Sequence, residues 1–222
     1  MSSTGSELVP LRAGARGGAA LSLALPEGAV RSPDEALPAV DLSNLPGGRL
    51  AARRAYRAGA EELRAICVAA PAGGWAPGIE EIVLGRATQL ARDALGGDAR
   101  LTAAEPLAAN DGFAQRFVGT ALRDGVPLAV QGRHWLGFAG EPREGILCTV
   151  VCTEPAPLAG CDHLIAATAP EGAWLAPPPP NLLARTLLLA AERPSAAAAV
   201  FLAVALAVAA LIIARRPRPR AL

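Results

Sequence analysis

Ala196 to Ala214 is a run of 19 residues without a charged or strongly polar side chain. As a helix it spans roughly 28 Å, close to the hydrocarbon thickness of a bilayer. A core helix of a globular domain normally keeps one polar face, and this run has none. Pro194 and Ser195 precede it as helix-start residues, and Pro217 and Pro219 stop it. Arg215, Arg216, Arg218 and Arg220 follow at once, placed to snorkel into headgroups. The expectation is a single C-terminal transmembrane anchor over 194–214 with a basic tail over 215–222, and a lipid bilayer as the partner of Ala196 to Ala214. The span holds no ionisable group, so it offers no proton relay or ion pathway. Ala199, Ala203 and Ala207 form a small-xxx-small row that would let two such helices approach, hence a weak homo-oligomer.

Orientation gives two opposed signals. The best candidate for a signal peptide, Ala19 to Leu25, is at the short limit for an apolar core, lacks a clean cleavage site and reads better as a strand. A chain without a leader keeps its large N-terminal part in the cytoplasm and inserts its tail last. That predicts a tail-anchored protein of the cell membrane whose domain faces the cytoplasm. The four arginines of the tail argue the other way, because flanking positive charge prefers the cytoplasmic side.

The 222 residues suffice for one domain plus the anchor, and the net charge of +1 gives no field that would select nucleic acid or an acidic substrate. All basic residues are arginine, and Ala, Gly and Pro abound, the mark of a high-GC bacterial coding sequence. With aromatics at 4%, the core must rest on Leu, Val, Ile and Ala, and no stacking platform for nucleic acid is expected.

Residues 1–18 read as a flexible arm, and 19–193 as an α+β domain. Candidate strands are Ala20 to Leu25, Leu50 to Arg57, Leu63 to Ala70, Ala99 to Ala104, Ala114 to Thr120, Pro127 to Phe138 and Gly145 to Thr153, with glycine-rich turns between them. In the last, Ile146, Cys148, Val150 and Cys152 face one way and Leu147, Thr149, Val151 and Thr153 the other, a strand covered on both sides. Ile79 to Leu95 is the clearest helix, with Ile79, Ile82, Val83, Ala87, Leu90 and Ala94 as its packing stripe. Asn181 caps a second helix, Leu182 to Glu192. The expected fold is a mainly antiparallel sheet flanked by two helices, an α/β/α sandwich. Arg193-Pro194-Ser195 alone separates the second helix from the span, so the domain is held at the bilayer surface beside a membrane-proximal protein partner.

Four cysteines and two histidines carry the remaining chemistry. Cys148 and Cys152 lie roughly 13 Å apart on a strand and cannot bridge each other. Cys152 and Cys161 are better placed, because Pro155, Pro157 and Gly160 can turn the chain back. They would be bridged in an exported domain and reduced in the cytoplasm. Cys67 reads as a core residue. Cys152, Cys161 and His163 match no common zinc spacing, and Cys148 would have to swing inward to join them. His134 reads as a sheet-surface residue, and Asp162-His163 as either an acid–base pair or a loop turn. No phosphate loop, dinucleotide fingerprint, nucleophile elbow or HExxH is present. No catalytic, cofactor-binding or metal-binding set is therefore assigned.

Leu-Ser-Leu-Ala-Leu-Pro-Glu-Gly at residues 21–28, with the order of elements over 18–193, resembles the PsbP/DcrB-like superfamily. There an early strand ends in a similar turn, and two helices enclose a run of antiparallel strands. The resemblance implies a partner-binding, chaperone or assembly role rather than catalysis. The C-terminal anchor and the proline-rich stretches depart from that pattern. The leading expectation is a membrane-tethered, non-enzymatic binding or assembly domain. The alternatives are a thiol- or metal-dependent enzyme using Cys148, Cys152, Cys161 and His163, and an exported, disulfide-bearing domain with its tail inside.

Overall fold

A computed structural model describes residues 5–11, 18–33, 40–43, 45, 47–95, 99–109, 112–123, 125–155 and 160–180. The expected anchor, basic tail and helix Leu182 to Glu192 lie outside the described residues. Among the described residues no helix is long and apolar enough to cross a membrane.

The main sheet is built from β3 (Val30–Arg31), β4 (Arg49–Ala58), β5 (Glu61–Pro71), β6 (Arg100–Ala103), β7 (Leu107–Ala109), β8 (Gly112–Arg123), β9 (Val126–Ala139) and β10 (Glu144–Pro155). Its order is β3-β4-β5-β10-β9-β8-β6, with β7 also paired to β8, and its described pairings are antiparallel. A smaller sheet joins β1 (Gly5–Pro10), β2 (Ala20–Leu25) and β11 (Ala169–Glu171), with β2 in the middle. Helix α1 (Ile79–Leu95) contacts β6, β8, β9 and β10, whereas α2 (Gly160–Ala167) contacts β2, β9 and β10. The α+β class and the antiparallel sheet agree with the sequence reading.

Strand alternation sorts the core into two faces. On one, Leu63, Ala65 and Cys67 of β5 and Ile146, Cys148, Val150 and Cys152 of β10 pack with Leu21 and Leu23 of β2 and with Cys161, Leu164 and Ile165 of α2. On the other, Phe117, Val130 and Val151 meet Ala91 of α1, and Leu136 and Phe138 meet Leu84 and Trp75. β10 is covered on both sides, as its two apolar faces require.

Three expectations are corrected. Residues 5–10 were expected in a loose arm but form β1, because Val9 and Leu11, each 1% exposed, insert into the core beside β2. Asp162-His163, read as an acid–base pair or a loop turn, lies within α2. The packing stripe of α1 holds at Ile79, Val83 and Ala87 but not at Ile82. Leu84, Ala87, Thr88 and Ala91 are buried, whereas Ile82 is 71% exposed. The buried face also carries Thr88, which bonds a buried histidine on β9.

Two glycines on β9 make room for aromatic rings. A Cβ on Gly132 would lie 2.0 Å from Phe117 Cζ, so only glycine lets that ring lie flat across the strand. At Gly137 the Trp174 ring occupies the same kind of space, 2.4 Å from where a Cβ would stand, and Leu175 N–H donates to Phe138 O at 2.7 Å.

Candidate functional site: two closed disulfides and an arginine-lined groove

The four cysteines pair with one another. Cys67 and Cys148 lie directly opposite in the β5–β10 register and are bridged, with Cα atoms 4.1 Å apart. Cys152, two pleat repeats further along the same face, bridges Cys161 at the start of α2, Cα to Cα 5.4 Å. All four side chains are at most 1% exposed. No free cysteine remains among the described residues. Sulfurs bonded in buried pairs are neither thiolate nucleophiles nor metal ligands. The chemistry considered for Cys148, Cys152 and Cys161 is therefore closed to them in this state. Cys67, read as a lone core residue, is corrected to a bridged one. His163 stands exposed on α2. No group of three or more His, Cys, Asp or Glu side chains able to hold a metal occurs among the described residues.

His134 is also corrected. It is fully buried beneath α1. Its Nε2 lies 3.0 Å from Thr88 Oγ1 and its Nδ1 2.8 Å from Thr149 Oγ1, while Phe117 stacks on the ring at 4.6 Å. A neutral imidazole donates at one nitrogen and accepts at the other, which satisfies both threonines. Gln115 joins the network through Thr88 and donates to Ala104 O at 2.7 Å. Desolvation pulls the His134 pKa down to about 3. This is a neutral structural histidine, sealed from any substrate.

A second buried polar group is Glu62, 3% exposed. Arg64 meets its Oε1 at 2.8 Å and Arg57 at 3.6 Å, and Arg123 forms an ion pair with Oε2 at 2.6 Å that lies off hydrogen-bond alignment. Burial pushes the carboxyl up, but the three guanidinium groups outweigh it and hold it below the usual range.

The placement of α2 opens a groove. Glu154 lies two residues beyond Cys152 on the same face of β10. Its carboxylate accepts from Gly160 N–H at 3.3 Å and Cys161 N–H at 3.1 Å. An eight-residue helix is too short to persist alone. The cap and the bridge hold it across β9 and β10, and among the described residues it leaves the outer part of the sheet uncovered. There a cavity of about 320 Å³ is lined by Leu107, Ala114, Arg116, Arg133, Asp162, Ile165 and Ala166. Arg116 and Arg133 are direct cross-strand partners. Like charges so placed repel. Asp162 of α2 reaches Arg116 Nη2 at 2.5 Å, and Gln131 Oε1 accepts from the same nitrogen at 3.0 Å. Arg133 lies over the Trp135 ring at 5.2 Å. Neither arginine stood out in the sequence, because their pairing depends on the β8–β9 register. The glycine turn at Gly125, with φ 77°, was the available signal for that hairpin.

No protein-family model matches the chain, and no curated protein matches it. Among solved structures, the chain is similar to LpqN of Mycobacterium tuberculosis, described as involved in cell envelope biogenesis. The identity is 13%, the match covers 75% of this chain and 91% of that one, and the TM-score is 0.42.

Proposed function

We propose that this protein is a non-enzymatic binding module, tethered by its C-terminal apolar segment and exposed on the outer side of the cell membrane. The observation that carries this reading is the pair of buried, closed disulfides. Such bridges form and persist in oxidising compartments, whereas cytosolic thiols are kept reduced. An outward domain also leaves Arg215, Arg216, Arg218 and Arg220 on the cytoplasmic side, which agrees with the positive-inside rule. The proposal takes the opposite domain side from the one expected from the sequence, and it keeps the anchor over 194–214.

Binding is favoured over catalysis by where the reactive groups lie. The sulfurs are bonded in pairs, His134 is sealed under α1, and Glu62 is held among three arginines. The PsbP/DcrB-like resemblance supports the same class. A protein partner beside the membrane fits a domain held close to lipid.

Protease added to spheroplasts tests the side. An epitope tag placed before Gly5 is expected to be lost from intact spheroplasts while a cytoplasmic marker survives. A tag protected until lysis would place the domain inside and overturn the reading.

A further inference from the structure

The groove between α2 and the outer strands carries an inference that deepens the binding-module reading and rests on it. We propose that it is a binding site for a small amphipathic monoanion, with its carboxylate on Arg133 and its apolar body between Leu107, Ala114, Ile165 and Ala166.

The charge arrangement points to the head. Arg116 and Arg133 face each other across β8 and β9, and Asp162 is the one acidic side chain among the lining residues. Asp162 pairs with Arg116 and so leaves an excess of one positive charge. The Arg133 guanidinium rests on Trp135, which fixes its plane but does not neutralise it. A carboxylate is the complement of a planar guanidinium, which can meet it with two parallel hydrogen bonds.

The walls point to the body. Ile165 and Ala114 are 2% and 5% exposed and form the floor, whereas Leu107 is 70% exposed at the rim. A large apolar side chain left open beside an unneutralised guanidinium suits a ligand with both characters. The volume of about 320 Å³ lies at the lower end for small-molecule sites and selects a short apolar body. The site is rigid at its helix wall, because the Cys152–Cys161 bridge and the Glu154 cap fix the start of α2.

Calorimetric titration of octanoate into the full-length chain in phosphatidylcholine nanodiscs tests this, with empty nanodiscs as the blank. Saturable one-to-one binding above the blank is expected. Arg133→Gln should weaken it by at least about ten-fold, the loss of one charge-assisted pair. Ala166→Trp, at an exposed position on the wall, should block it by filling the groove. Both variants should keep their thermal midpoint. Octanol should bind at least about ten-fold more weakly than octanoate because it lacks the anion, and inorganic phosphate likewise because it lacks the apolar body. Absence of saturable octanoate binding, equal affinity in either variant, or equal affinity for octanol or phosphate would overturn the assignment. None of these results bears on which side of the membrane the domain occupies.

Discussion

His134 contributes to the acid sensitivity of the domain. Its pKa is near 3 in the fold and near 6.5 in an unfolded chain, so below pH 6.5 the unfolded state binds the extra proton. Stability is then fully present above pH 6.5 and falls by up to about 1.4 kcal/mol per pH unit toward pH 3. Glu62 acts in the same direction lower down. Its depressed carboxyl contributes above its unfolded value of 4.5 and loses that contribution as pH falls through the folded pKa. His134→Gln keeps a neutral donor and acceptor, and it should flatten the decline between pH 6.5 and 4.5 in urea midpoints. An unchanged slope in that variant would mean that His134 is not the titrating group. No local pattern announced this role. Arg133-His134-Trp135 alternates as a sheet surface does, and burial came from Thr88 and Phe117, which are remote in sequence.

At the scale of elements, the two disulfides have different work. Cys67–Cys148 closes a loop across 81 residues and Cys152–Cys161 one across nine. Loop entropy assigns them about 4.5 and about 2.6 kcal/mol respectively. The double variant Cys67→Ala with Cys148→Ala should therefore lower the global urea midpoint more. Cys152→Ala with Cys161→Ala, or Glu154→Gln, should loosen α2 first. Amide hydrogen exchange would show this as lost protection in 160–167 with β5, β9 and β10 retained. Equal loss across the sheet would contradict a local role for the second bridge. These elements divide by how local their signals are. The strands around Gly59 and Gly125, the helix Ile79 to Leu95 and the two-faced β10 were legible, because period and turn residues are written in neighbouring positions. β1 was missed because its apolar run, Leu8 to Leu11, is short, is interrupted by Pro10 and is flanked by polar residues and glycine. α2 was missed because its support comes from Glu154 and Cys152 on another element. The Cys67–Cys148 pair needs the β5–β10 register, which is set by tertiary pairing of distant strands.

For the whole molecule, compartment and chemistry are one question. In a reducing cytosol the four thiols would be free and the cysteine-based alternatives would reopen. In an oxidising space they are closed, and the groove beside α2 is the surface proposed for recognition. The most direct measurement is the thiol state of the full-length protein, trapped by acid quench from intact cells and alkylated under denaturing, non-reducing conditions. The structure and the proposed location predict no alkylated cysteine before reduction and four after it, with peptide mapping that returns Cys67 joined to Cys148 and Cys152 joined to Cys161. Four alkylated cysteines before reduction would contradict both the bridges and the outward-facing domain.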